Sequence, residues 1–235
     1  MANKRLQEHY GFDLPVERIR QHALMHAHEV ESVQTARPAV KSLSCDGAQQ
    51  LVAEADGSML RLVECGKDAQ GKRTRELSWK ECRLAAVTEQ GKEKVVYAAS
   101  FNGVEDTGKR WGQCAEDAGW GTQSSIHALG DGATWVQEQS KLCFSTQGTF
   151  LVDFFHVCEY LAGAAESCAH KEKPQRWLKR HKNMLKKGKI NKVIDNLSKH
   201  LEAETVDDTQ APVRSALRYI ENRKDVMEYP AAIAK

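Results

Sequence analysis

Ser125-Ile126-His127-Ala128-Leu129-Gly130-Asp131-Gly132 reads as a short strand that ends by delivering an aspartate to a turn. Ile126, Ala128 and Leu129 give the segment its apolar character, and Asp-Gly is a turn dipeptide. Helical patterns flank it. Upstream, residues 105–119 place Trp111, Cys114, Ala115 and Ala118 on one face, with Gly119 as the stop. Downstream, residues 134–143 suit a helix, Thr149-Phe150-Leu151-Val152-Asp153 is a further strand, and a helix follows through Ala165. Strands separated by helices are expected to pair in parallel through right-handed crossovers.

Before these elements the pattern is one of strands alone. Leu51-Val52-Ala53-Glu54-Ala55-Asp56 predicts a short strand ending at Asp56-Gly57, with Met59 to Val63 continuing beyond that turn. Cys82 to Thr88 and Lys94 to Phe101 are the next candidates, and Gly91 between them signals a hairpin. Strands joined by short turns pair antiparallel. The expected fold is therefore α/β, a mixed five-stranded sheet with flanking helices. This order of elements is similar to that of the ribonuclease H-like fold.

The ends of the chain are helical. Residues 1–48 form a poorly determined helical region, with a helix entry at Leu14-Pro15-Val16 and weak periodicity at Val16, Ile19 and Leu24. His22 and His26 would share a helix face there, close to His28, but nothing nearby completes a metal site. Residues 49–165 make the expected core, and residues 166–235 an all-helical, partly basic region. In that region Pro174 and Pro212 open helices and Gly188 ends one. Trp177, Leu178, His181, Met184 and Leu185 form one apolar stripe, and Ile190, Val193, Ile194, Leu197 and Leu201 form another.

Composition bounds the function classes. The 235 residues are 41% hydrophobic and 28% charged, a globular balance without a membrane-spanning run. The N-terminus has no apolar signal core. Seven widely spaced cysteines with no C-x-x-C pair suit neither a disulfide framework nor a zinc ribbon, so free thiols and a cytoplasmic setting are expected. The net charge of +2 hides an asymmetry: residues 171–192 carry +9 and the rest of the chain −7. Such a block is either a solvated helix face or the mark of a polyanionic partner.

Three predicted strand ends present a carboxylate: Asp56, Asp131 and Asp153. Two-metal phosphodiester chemistry needs converging oxygen ligands for Mg²⁺ or Mn²⁺, and neighbouring strand ends hold such ligands accurately. Asp56 and Asp131 occupy strand ends that lie side by side in this order of elements. Each Asp-Gly pair alone is an ordinary turn signal, and a third copy, Asp46-Gly47, has no assigned role.

Gly130-Asp131-Gly132-Ala133-x-Trp135, followed by Val152-Asp153-Phe154-Phe155-His156, resembles bacterial insertion-sequence transposases of the DDE type. Asp153-x-x-His156 also resembles the C/D-x-x-H signature of several DDE superfamilies. The resemblance runs from about residue 50 to 230. It implies metal-dependent DNA cleavage and strand transfer in the transposition of an insertion sequence, with two Mg²⁺ or Mn²⁺ ions in a complete enzyme. Asp56 and Asp131 would be the first two metal-binding carboxylates, with Asp153 and His156 as an accessory catalytic pair. The helical region would match an insertion that many relatives place before a catalytic Glu. Its Arg176, Lys179, Arg180, Lys182, Lys186, Lys187 and Lys189 would contact the phosphates of transposon ends or target DNA. A bacterial, nucleoid-associated protein acting as a homo-oligomer on DNA is implied. In the family, a region like Glu228-Tyr229-Pro230 precedes a Gly-Ser-Gly segment and the Glu helix. Neither follows here, so a truncated copy with little or no strand transfer is expected. The alternatives are a non-catalytic DNA-binding remnant and another ribonuclease H-like nuclease.

Overall fold

The computed structural model describes residues 2–11, 13–38, 43–170 and 172–233, in two compact units, 1–41 and 42–235. The first unit holds α1 (Ala2–Tyr10) and α2 (Val16–Ala36), the latter entered at Pro15 as Leu14-Pro15-Val16 predicts. No residue of α2 is buried, and of its three histidines His26 faces Glu29 at 3.4 Å.

The second unit is built on one mixed sheet of five strands. These are β1 (Gln50–Lys67), β2 (Arg73–Glu89), β3 (Val95–Ser100), β4 (Ser125–Gly130) and β5 (Gly148–Val152), in the order β3-β2-β1-β4-β5. β1, β2 and β3 pair antiparallel, while β4 and β5 run parallel to β1, as the spacing of strands and helices predicts. Gly91 makes the β2–β3 turn at φ +79°. The crossovers are α3 (Val104–Asp117) and α4 (Thr134–Phe144), and α5 (Phe154–Cys168) follows β5.

One expectation is corrected. Asp56-Gly57 is no turn and Asp56 is no strand end: β1 runs on to Lys67, with Asp56 opposite Leu84 and Gly57 opposite Arg83 on β2. The pairing with β4 does stop at Glu54, opposite Leu129. Beyond that point β1 and β2 continue as a two-stranded ribbon. Its turn lies at Asp68–Gly71, where the Asp68 carboxylate accepts the N–H groups of Gln70 and Lys72 and Gly71 supplies φ +80°.

Burial alternates along β1, with Leu51, Ala53 and Ala55 inside and Glu54 and Asp56 outside. The inward residues join Ala85, Val87, Ile126 and Ala128 under α3 and α4. Trp111 of α3 meets Phe144 of α4 edge to face at 5.1 Å, and Trp120 meets the same ring at 5.4 Å. The third Asp-Gly copy now has a packing reason: a Cβ on Gly47 would collide with the backbone of Gly121.

A second apolar cluster joins β5 and α5 to the C-terminal helices α6 (Pro174–Lys186), α7 (Ile190–Ser198), α8 (Pro212–Glu221) and α9 (Tyr229–Ile233). Leu161, Val193, Leu197, Val213 and Ile220 are all fully buried in it. The predicted stripes are the buried faces: Trp177, His181 and Leu185 on α6, Val193 and Leu197 on α7. Glu202 anchors the start of α8, its two carboxylate oxygens accepting the N–H groups of Val213 and Arg214 at 2.8 and 2.9 Å. Those donors carry the positive end of the helix dipole, so the carboxylate is well placed.

His181 makes the second cluster sensitive to acid. It is fully buried and stacked on Trp177 at 3.7 Å, with Nδ1 bonded to the Trp177 carbonyl and Nε2 to Asn196. Burial holds its pKa below the ordinary 6.5. The neutral ring is therefore favoured by folding, and its stabilisation is complete above about pH 6.5 and lost as pH falls below that value. Thermal melts of the wild type from pH 8 to pH 5 are expected to show this loss. In His181→Phe, destabilised at pH 8, the slope should be smaller. The carboxylate Glu202, held below its usual 4.5, loses its contribution only at more acidic pH.

Candidate metal and nucleic-acid site

Asp131 leaves β4 directly after Gly130, and the register sets what lies beside it. Glu54 pairs with Leu129, so two residues further on Asp56 is level with Asp131 on the adjacent strand, about 4.8 Å away across the sheet. Gly130 permits this approach, because a Cβ there would press on Val136 of α4 and the Ala55 carbonyl. The Asp131 Oδ1 accepts the Ala133 N–H at 2.8 Å, and the Asp56 Oδ1 accepts the Gly57 N–H at 2.7 Å. Each carboxylate keeps its second oxygen for a ligand. Two hard oxygen donors from rigid neighbouring strands suit a cation such as Mg²⁺ or Mn²⁺. Among the described residues no group of three or more His, Cys, Asp or Glu is arranged to hold a metal ion.

Asp153 is level with Asp131 in turn, since Gly130 pairs with Val152, and its N–H donates to the Gly130 carbonyl at 2.7 Å. Its side chain serves the helix instead, Oδ1 accepting the Phe155 N–H at 2.9 Å and so capping α5. A cap of this kind contributes about 1 kcal/mol. His156 lies in the first turn of α5, with Nδ1 at 3.4 Å from Glu159, and packs edge-on against the rings of Tyr160 and Tyr219, both at 5.6 Å.

Sequence reading missed the groups that brace Asp131 from α8 and the turn after it. Tyr219 donates its hydroxyl to the Asp131 carbonyl, and Arg223 Nε donates to the Gly132 carbonyl at 2.8 Å. Tyr219 stacks on Tyr160 at 4.0 Å, and the Arg223 guanidinium lies 4.2 Å over the Tyr219 ring. Burial raises the Tyr219 pKa, which keeps the hydroxyl a donor. Gly132 sits at φ +82°, and a Cβ there would run into Arg223. The C-terminal helices thus fix the backbone from which Asp131 projects. On the other flank Arg83 lies 5.6 Å over the Trp135 ring, donates to the Asn102 carbonyl and pairs with Glu81.

The basic set divides. Arg176, Lys179, Arg180, Lys187 and Lys189 line a shallow depression of about 510 Å³ between α6 and α7, joined by Lys192, Asn183 and Glu172. Arg180 pairs with Glu172 at 2.6 Å. Lys182 and Lys186 turn instead toward α5, Lys182 to the Cys158 thiol and Lys186 to a position 5.0 Å over the Phe154 ring. Lys171 lies outside the described residues. All seven cysteines are free. No described helix is long and apolar enough to cross a membrane.

No curated protein and no solved structure matches the chain. A family model does match, over residues 19–231, and on that span the chain belongs to the uncharacterised protein family UPF0236.

Proposed function

We propose that this chain carries the ribonuclease H-like core of a DDE-type transposase, acting on the DNA of an insertion sequence by metal-dependent cleavage and strand transfer. The observation that carries the reading is the register of β1 and β4, which brings Asp56 level with Asp131 on adjacent strands. The strand order β3-β2-β1-β4-β5 and the motif Asp153-x-x-His156 add to it.

In this reading Asp56 and Asp131 together hold Mg²⁺ or Mn²⁺. The bound cation would supply Lewis-acid stabilisation of phosphate charge and a more acidic water or 3′-hydroxyl. Tyr219 and Arg223 keep the Asp131 backbone fixed, so the carboxylate is oriented before DNA arrives. Asp153 and His156 act on the same turn from the start of α5, as an accessory pair that shapes the site. The cations lining the α6–α7 depression would hold phosphates without reading sequence. Pairing of two DNA ends would call for a homo-oligomer.

The test is the metal dependence of DNA affinity. A cation shared between Asp56, Asp131 and a DNA phosphate should make wild-type binding tighter in Mn²⁺ than in EDTA. Asp56→Asn and Asp131→Asn should each erase that difference while binding in EDTA persists. DNA binding that is the same in Mn²⁺ and EDTA would instead favour a non-catalytic DNA-binding remnant.

A further inference from the structure

The ribbon formed by Gly57–Lys67 and Arg73–Arg83 stands off the sheet and is asymmetric in charge. Directly opposed residues of an antiparallel pair share a face. One face therefore carries Met59, Arg61, Val63, Cys65 and Lys67 opposite Glu81, Trp79, Leu77, Arg75 and Arg73. The other carries Leu60, Leu62 and Glu64 opposite Lys80, Ser78 and Glu76. Four cations, Arg61, Lys67, Arg73 and Arg75, thus lie together on the first face, and none makes an ion pair among the described residues. The one acid there, Glu81, is engaged by Arg83. The unpaired acids Glu64 and Glu76 face each other on the second.

The first face is also the apolar one. Met59, Val63 and Leu77 are each 55% exposed and Trp79 is 66% exposed. A two-stranded ribbon is marginal in water without a covering partner, and a cluster of exposed apolar side chains marks an interaction surface. Charge selects the partner. A cationic face with one indole and three aliphatic groups matches a polyanion that also presents apolar surface, which duplex DNA does through its sugars and base edges. The geometry agrees. Eleven residues of strand span about 36 Å, close to one turn of B-DNA, and a major groove about 12 Å wide admits a two-stranded ribbon. The ribbon begins at Asp56-Gly57, where β1 leaves β4, so DNA lying along it arrives at Asp56.

We propose that this face of the ribbon is a duplex-DNA contact surface that guides the substrate to Asp56 and Asp131. The proposal rests on the DNA reading above. Its test compares the salt dependence of duplex binding, by fluorescence anisotropy, in four full-length proteins. These are the wild type, the ribbon variant Arg61→Gln/Lys67→Gln/Arg73→Gln/Arg75→Gln, the charge-keeping variant Arg61→Lys/Arg73→Lys/Arg75→Lys, and the depression variant Lys179→Gln/Lys187→Gln/Lys189→Gln. Each lost phosphate contact lowers the slope of log K against log salt by about 0.9. The ribbon variant is expected to lose roughly 3 from that slope. The charge-keeping variant should retain it, and Trp79 emission should change on binding only where the ribbon engages. A ribbon variant with the wild-type slope, beside a depression variant that has lost its own, overturns the proposal and leaves the DNA reading standing. A wild type that binds no duplex overturns both. A concentration-dependent dimer abolished by Trp79→Glu, with the DNA slope intact, assigns the face to a second copy of this chain and overturns the proposal.

Discussion

Asp131→Asn is expected to weaken Mn²⁺ binding by at least about a hundredfold, because losing even a group that only orients a metal ligand typically costs 10–100-fold. The substitution keeps the Ala133 N–H bond, since the amide oxygen still accepts, and it keeps the Tyr219 and Arg223 contacts, which go to backbone carbonyls. The fold should therefore melt within about 0.5 kcal/mol of the wild type, as substitutions that leave packing alone generally do. Loss of metal without loss of stability is the signature to look for in calorimetric titration. A variant that loses both would place Asp131 among the structural residues.

The second large effect concerns stability. Trp111 is fully buried between the sheet and α4, in edge-to-face contact with Phe144. Trp111→Ala removes that contact and leaves a cavity, at a cost of about 3–5 kcal/mol. Against a typical stability of about 5–15 kcal/mol this is a large fraction, and the midpoint should fall by roughly 10 °C. Trp111→Phe should cost much less. The indole N–H has no hydrogen-bond partner among the described residues, so its removal leaves no acceptor stranded. Thermal and urea unfolding of the two variants separate the outcomes.

Much of the fold is legible in the sequence where local chemistry and tertiary demand agree. Ser125–Gly130 is a strand within the bounds its apolar run predicts, and Pro174 and Pro212 open α6 and α8. Gly119 and Gly188 carry positive φ just beyond α3 and α6. The failure at Asp56-Gly57 has a clear cause. Asp-Gly is a turn signal only when glycine takes positive φ, and Gly57 is an ordinary strand residue facing Arg83. The true turn, Asp68 to Gly71, has the proper chemistry, but the strands leading to it are rich in charge and their alternation is hidden. What made them strands is cross-strand pairing, which periodicity does not report.

The candidate site was half legible for a similar reason. Asp56 and Asp131 follow from strand order, and register then brings them level. The brace of Tyr219 and Arg223 does not, since these residues are separated from Asp131 and Gly132 by 88 and 91 positions. No local pattern carries a contact of that span. The basic helix was visible as a run of charge. Its division into Arg176, Lys179, Arg180, Lys187 and Lys189 around the depression and Lys182 and Lys186 against α5 depends on helix phase and on what α5 presents.

Central to the proposed function is a single cation site formed jointly by Asp56 and Asp131. A Mn²⁺ titration followed by electron paramagnetic resonance tests this on the wild type, Asp56→Asn, Asp131→Asn and the double variant. If both carboxylates hold the same ion, each single substitution removes the same bound Mn²⁺, and the double variant is no worse than either. Undiminished Mn²⁺ binding in either single variant, or losses that add independently in the double, would contradict it.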